Sequence, residues 1–209
     1  SMKYKVYIPH TNNIKVTKLC LDNLTNNTKD IIVIDNSIEK DCQVFRDNFE
    51  VIETPVQLHT AQTYNYIKNL SNQSKLDCFF FMHSDCIVEN KETLNQFIQQ
   101  ALALLEKDSR TGWVHADNKK DIPKDLLCCY RCGMLDEVEG WNALKFPFYF
   151  LDLDLYNKVV KNKWSVLSVE ANVEHLFEGS VTVKSDMERS IINAYYYAVS
   201  KTIFDIDWR

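Results

Sequence analysis

The run Cys78-Phe79-Phe80-Phe81-Met82 constrains this chain more than any other feature of the sequence. Five consecutive large apolar residues between Asp77 and His83 are far fewer than the roughly 20 that a membrane-crossing helix needs. They are also too apolar for a surface. A strand covered on both faces accommodates them, and such strands belong to parallel sheets with helices packed on either side. The other strongly apolar stretch, Phe146 to Leu151, is equally short, so no membrane span is expected. The first residues run into a strand pattern without a signal-peptide core, which makes a cytoplasmic protein the expectation.

The neighbouring segments fit the same architecture. Strand-like runs at 3–8 (KYKVYI), 31–34 (IIVI) and 50–53 alternate with helical patterns at 12–24, at 91–106 and in a helix that Thr60 is expected to cap. From Gly112 onward the pattern predicts strands near 113–115, 126–129 and 164–169 and helices at 155–161 and 184–201. No repeat or linker divides the chain, so the expectation is a single α/β domain: a central, mostly parallel sheet flanked by helices.

Composition removes several functions. Four glycines stand where average usage of about 7% would give roughly fourteen. A small β-barrel with many tight turns is therefore disfavoured, and neither a dinucleotide fingerprint nor a P-loop is present. The net charge of −5, with no basic block, excludes nucleic acid as an expected partner. Seven cysteines, an odd number in a chain of 209 residues, are read as reduced thiols. Cys129 and Cys132 have zinc-ligand spacing but no second Cys or His pair follows.

In open α/β sheets, ligands bind beyond the carboxyl ends of the strands. Those ends carry His10 and Thr11, Asp35 and Asn36, and His83-Ser84-Asp85. A carboxylate directly after a fully apolar strand is desolvated on one side and needs a cation or a set of donors, unless Ser84 and Asp85 simply close a turn. Asp152 and Asp154 would point to one side of an extended chain, where two carboxylates can face a common ligand; alternatively Asp154 caps the following helix. The aromatic stretch from Trp141 to Phe150 can stack on sugar rings or fill the core. His175 can be a hydrogen-bonded structural residue or a ligand.

Taken in order, these pieces resemble the GT-A nucleotide-sugar glycosyltransferases, particularly the family-2-like branch, over about residues 3–201. Ile8-Pro9-His10-Thr11 and IIVIDNS at 31–37 look like the strand ends that bracket uracil and ribose, which implies donor contacts from Pro9, His10, Thr11 and Asp35. The helix from Thr60 to Asn69, with Asn65 at its middle, looks like the one before the metal motif and adds Asn65 to the donor side. Phe79 to Asp85 falls where the family has its D-x-D motif, here reading His83-Ser84-Asp85. The resemblance implies that Asp85 binds metal and that His83 and Ser84 face the donor. Gly133 to Glu137 looks like the G-x-[FL]-D-E turn near the acceptor, which implies acceptor-side roles for Asp136 and Glu137. Residues 149–155 resemble the aromatic-x-E-D-x-D-L segment, with Leu151 in place of its Glu; Asp152 would be the general base, with Trp141 and Asp154 on the acceptor side. Val173 to Ser180 is similar to the late V-x-H…G-S element, in which His175 would complete the metal site.

The resemblance implies a nucleotide-binding half at 3–106 and an acceptor and catalytic half at 107–209. The implied reaction moves a hexosyl group, for example glucose or rhamnose, from a UDP-sugar to a hydroxyl of a glycan acceptor. The implied cofactor is Mn²⁺ (or Mg²⁺), with an imidazole ligand favouring Mn²⁺. The motif order is also similar to that of the N-terminal domain of a large chlorovirus multidomain protein, which implies further domains of a longer chain and, for a viral protein, the host cytoplasm. A non-catalytic nucleotide-sugar or carbohydrate-binding domain is the alternative reading. A nucleotidyltransferase would share the architecture but carry a glycine-rich, basic loop after the first strand, and residues 8–12 have neither feature.

Overall fold

The computed structural model describes residues 1–24, 28–117, 125–148 and 150–176. Its centre is the predicted apolar strand, β4 (Cys78–Met82), whose five residues are all buried. Successive side chains of a strand point to opposite faces. Cys78, Phe80 and Met82 accordingly enter one core with α1 (Ile14–Asp22) and α3 (Lys91–Lys107). Phe79 and Phe81 enter a second core with α2 (Thr60–Gln73), α4 (Cys132–Glu137) and α5 (Leu151–Lys161).

The sheet has seven strands in the order β3-β2-β1-β4-β7-β6-β8. β1 (Tyr4–His10), β2 (Ile31–Asp35) and β3 (Glu50–Glu53) run parallel to β4 on one side. On the other side β7 (Leu127–Arg131) is antiparallel to both of its neighbours, β4 and β6 (Thr111–Asp117), while β8 (Ser165–Glu170) is parallel to β6. One reversed strand in seven bears out the expected mostly parallel α/β sheet. A separate two-stranded sheet pairs β5 (Cys86–Val88) with β9 (Val173–His175).

Three local expectations change. His59, not Thr60, caps α2: its Nδ1 accepts from the Gln62 backbone N–H (3.2 Å) and its own N–H donates to Gln62 Oε1 (3.1 Å). This reciprocal pair satisfies two of the orphan donors at a helix start. The segment after Cys132 is a short helix rather than a turn. The segment 151–154 is the first turn of α5 rather than extended chain, because Phe150 turns the backbone at φ 59° and starts the helix four residues before the predicted position. The helix expected at 184–201, Tyr149 and Gly179-Ser180 lie outside the described residues. No described helix is long and apolar enough to cross a membrane.

All seven cysteines are buried and unbridged. Neither Cys129 nor Cys132 joins a metal-ligating group among the described residues, and burial pushes the Cys132 thiol up to about 12. Cys129 lies in β7 and Cys132 opens α4, both packed into the core.

Because Phe80 is fully buried against Phe97 on one core face, Phe80→Ala is expected to lower unfolding free energy by about 3–5 kcal/mol. Leu144→Ala, at 96% exposure, should change it by no more than about 0.5 kcal/mol. Urea unfolding of both variants measures the difference.

Candidate active site

The topology brings five segments to one edge of the sheet. β1, β2 and β4 deliver their carboxyl ends there, ending at His10, Asp35 and Met82. β7, running the other way, delivers its start, so Asp125, just ahead of it, arrives beside His83; the His83 backbone N–H donates to the Leu126 carbonyl at 2.9 Å. The fifth segment is β9. Its register sets His175 opposite Cys86, and the Leu176 N–H donates to the Asp85 carbonyl at 3.0 Å.

Asp85 combines a turn with a cluster of ionisable groups. It lies in a tight turn, closed by Cys86 N–H donating to His83 O at 3.0 Å, and it is also the centre of an ionisable cluster. His175 Nε2 stands 3.0 Å from Asp85 Oδ2, and His83 Nδ1 stands 3.8 Å from Asp85 Oδ1. On its far side the His83 ring meets Tyr64 Oη at 3.1 Å and Asp125 Oδ2 at 3.4 Å, while the Tyr64 hydroxyl donates to Asp125 Oδ2 at 2.8 Å. Burial raises the cost of ionising Asp85, but its bond to His175 and the charge of His83 outweigh it and hold its pKa below the usual carboxylate range. Burial likewise opposes a charged His83, yet Asp125, Asp85 and Asp152 together shift its pKa upward. Ligand atoms of His83, Asp85 and His175 all lie within 4.8 Å of one another, a donor set suited to a divalent transition-metal ion.

Asp152 is the second residue of α5 and faces the same cluster. Burial, and then the negative charge of Asp125, push its carboxyl up to about 6, against a smaller opposing pull from helix-terminal N–H groups and His83. A carboxyl poised near neutrality beside such a donor set is suited to exchange protons with a ligand. Asp154 does not join it. Two positions apart on a helix means different faces, and Asp154 lies 3.9 Å from Lys158 Nζ, one turn onward. Nor is it a cap, since Phe150 holds that position.

The remaining predicted residues divide into wall and scaffold. His10 is wholly buried, with Nδ1 2.7 Å from Thr17 Oγ1 and Nε2 2.7 Å from Asp41 Oδ1. Asp35 is also wholly buried, its carboxylate accepting from Ser37 N–H, Ser37 Oγ and Cys42 N–H at 3.1, 2.6 and 3.0 Å. Both act from beneath, fixing the loop after β2. Thr11 and Pro9 are only partly buried at the rim, Thr11 Oγ1 accepting from Asn36 Nδ2 at 3.1 Å. Ser84 is buried in the turn beside Asp85.

Four expectations are corrected by position. Asn65 is not turned to a donor: its amide donates to the Trp141 carbonyl (2.9 Å) and accepts from the Trp141 N–H (3.0 Å). Trp141 is not a stacking platform, being buried against Tyr64 and Tyr130. Asp136 and Glu137 lie at the opposite edge of the sheet. The reversed β7 ends opposite the start of β4, with Arg131 paired to Cys78, and α4 begins there. At that edge Asp136 binds Lys68 (2.8 Å) and Asn72 (2.8 Å), Glu137 pairs with Arg110 (3.2 Å), and a hollow of about 490 Å³ holds no catalytic cluster. Asp125, conversely, was missed. The signal available was an acidic residue directly ahead of a strand, informative only once that strand is known to run backwards.

No family model matches this sequence, and no curated protein does. Solved structures do match. Glucosyl-3-phosphoglycerate synthase from Mycobacterium tuberculosis, in complex with Mn²⁺, UDP and phosphoglyceric acid, aligns over 93% of this chain and 78% of its own, with TM-score 0.66 at 13% identity. The chain has the GT-A fold. S. aureus TarS (residues 1–349) shares it over 100% of this chain and 76% of its own, with TM-score 0.61 at 16% identity. The Pyrobaculum calidifontis mannosyltransferase PcManGT, in complex with GDP-Man and Mn²⁺, shares it over 81% of this chain at 13% identity and TM-score 0.60; the chain spans about half (55%) of that enzyme. A Leptospira borgpetersenii cytidylyltransferase also shares the architecture, with TM-score 0.58 at 11% identity, over 81% of this chain and 76% of its own. None of these relatives supports a chlorovirus origin. The GT-A fold explains why these strand ends converge as they do.

An unfolded-chain Asp ionises near pH 3.9, so the raised pKa of Asp152 makes its ionised form a burden on the fold above about pH 6. Asp152→Asn is therefore expected to be more stable than the parent at pH 7, by on the order of 1–2 kcal/mol. The advantage should fade as pH falls from about 6 to 4. Thermal melts across that range check both the sign and the window.

Proposed function

We propose that the chain is a divalent-metal-dependent glycosyltransferase that moves a hexosyl group, such as glucose or rhamnose, from a UDP-sugar to a hydroxyl of a glycan acceptor. The observation carrying this reading is the union, at one edge of a GT-A sheet, of the Asp85–His175 pair with a carboxyl of near-neutral pKa, Asp152. Structural neighbours holding Mn²⁺ with UDP or GDP-Man support the donor class.

The donor nucleotide lies against Pro9, Thr11 and Ser84, over a floor that His10 and Asp35 hold rigid. Asp85 and His175 would hold the cation, and the bound ion would supply neutralisation of the charge that develops on the leaving group. The chain has no glycine-rich cradle to do this instead. An acceptor hydroxyl is a weak nucleophile and must lose its proton as the sugar takes on positive character. Asp152 accepts that proton at its carboxylate. Burial first, and then the nearby negative charge of Asp125, keep the carboxyl basic enough for the task. The 3–106 half thus carries the donor and the residues after 107 supply the base, within a cytoplasmic protein that can be one domain of a longer chain.

The cytidylyltransferase likeness favours a second reading, transfer of a nucleotidyl group to a sugar phosphate. The two readings release different products. Incubation with UDP-, GDP- and dTDP-sugars in Mn²⁺, Mg²⁺ or EDTA is expected to release UDP from one donor only when metal is present. Pyrophosphate release from a nucleoside triphosphate and a sugar phosphate would establish the second reading instead. Asp152→Asn is expected to cut transfer by about 10²–10⁴-fold with nucleotide binding retained. In the parent, the rate should rise with pH through about 6 as Asp152 loses its proton. Transfer that persists in the variant would remove Asp152 from the base role.

A further inference from the structure

A different group of side chains meets where β1 ends. His10 closes that strand, and Asp41 and Cys42 open the short 3₁₀ helix Asp41–Phe45. One ligand atom from each of the three lies within 4.8 Å of the other two. His10 is wholly buried, and its Nδ1 stands 2.7 Å from the hydroxyl of Thr17, which is wholly buried as well. Its Nε2 is 2.7 Å from Asp41 Oδ1, yet the ring aims too far off that line for a hydrogen bond, and both atoms are buried without a hydrogen-bond partner. No placement of the ring proton suits this arrangement. A proton at Nε2, on a neutral or a charged ring, is a buried donor that misses its acceptor. A proton at Nδ1 alone, donated to Thr17, leaves a bare lone pair against a carboxylate oxygen. A metal ion on Nε2 removes both faults, because it takes the lone pair and draws in the carboxylate. Cys42 is fixed nearby, its own N–H donating to Asp35 Oδ2 at 3.0 Å. Burial, and then the charges of Asp35 and Asp41, push its thiol pKa upward, so the thiol keeps its proton until a cation displaces it.

We propose that His10, Asp41 and Cys42 form a zinc site, separate from the Asp85 cluster, that staples the end of β1 to the 3₁₀ helix after β2. One nitrogen, one oxygen and one sulfur suit Zn²⁺, whereas Mg²⁺ and Ca²⁺ take oxygen donors. The thiolate and the carboxylate together match the charge of the ion, and one proton leaves Cys42 when it binds. Nitrogen and oxygen ligands of a tetrahedral zinc stand roughly 3.3 Å apart. Asp41 therefore has to move outward by about half an ångström, and its side chain, 36% exposed, has the room to do so and opens a path for the ion. The Thr17 hydroxyl behind Nδ1 sets the ring's tautomer and direction, as partners of ligating histidines do. The ion joins two segments that the sheet ladder alone leaves apart, and it stiffens the floor formed by His10 and Asp35.

The test uses the whole chain carrying Asp85→Asn, which disables the other cluster, with Co²⁺ or Zn²⁺ as the only added ligand. Co²⁺ is expected to give a thiolate-to-metal charge-transfer band that Zn²⁺ abolishes by displacement, and Zn²⁺ is expected to raise the melting temperature. Adding Cys42→Ser should remove the band and weaken Zn²⁺ at least tenfold. Thr17→Val should keep the band and weaken Zn²⁺ by about 10–100-fold. His10→Ala should weaken Zn²⁺ at least tenfold; if that variant fails to fold, Asp41→Asn, at a partly exposed position, carries the same expectation. A His10–Asp41 pair that is only an ion pair gives neither a band nor a zinc-dependent melting shift, and that outcome overturns the proposal. So does a band that Cys42→Ser leaves unchanged. None of these readouts involves a sugar nucleotide, so their failure leaves the glycosyltransferase reading standing, and absent transfer leaves the zinc site standing.

Discussion

The site depends on the burial of β4 between two helical layers. A strand that is apolar on both faces can sit only at the centre of the sheet, and whatever follows it in sequence emerges at the centre of one edge. Phe80 and Met82 lock it to the α1 and α3 layer, Phe79 and Phe81 to the α2 and α5 layer. The turn that carries His83, Ser84 and Asp85 is therefore anchored on both sides by large side chains that have no room to shift. Rigid placement of that kind is what a charged cluster needs, because groups free to relax apart would do so.

A second constraint comes from the direction of β7. Reversing one strand inside an otherwise parallel sheet exchanges the ends of everything attached to it. Asp125 gains a place beside His83, and α4 with Asp136 and Glu137 is carried to the far edge. The chain then returns to the site through α5, whose first turn brings Asp152 up against the cluster with helix-terminal N–H groups behind it.

The legibility of the sequence follows from these facts. Hydrophobic pattern reports how buried a strand is, and so β3 and β4 appear at their predicted residues and β2 within one. Pattern does not report direction, which explains both the misplacement of Asp136 and Glu137 and the silence over Asp125. Asp152 was legible through its segment's resemblance but not through geometry: the two carboxylates were read in extended chain, while Phe150 starts the helix early and sends Asp154 toward Lys158. Asn65 and Trp141 were misread for a third reason. Their mutual hydrogen bonds join positions 76 residues apart, a pairing no local spacing reveals. Aromatic residues near a sugar site look like platforms from sequence, yet here Trp141 completes the packing around Tyr64.

The small β5–β9 sheet has a consequence beyond bringing His175 to Asp85. The two residues are 90 positions apart, and only three residue pairs of ladder hold their strands together. An ion shared between them would close a loop through most of α3, β6, β7, α4, α5 and β8, acting as a cross-link in the sense that a disulfide does. Unlike a disulfide, its strength follows the free concentration of the ion. β9 would then be tied down when metal is plentiful and loosened when it is scarce, so that metal supply, rather than redox state, sets how firmly it is held to β5.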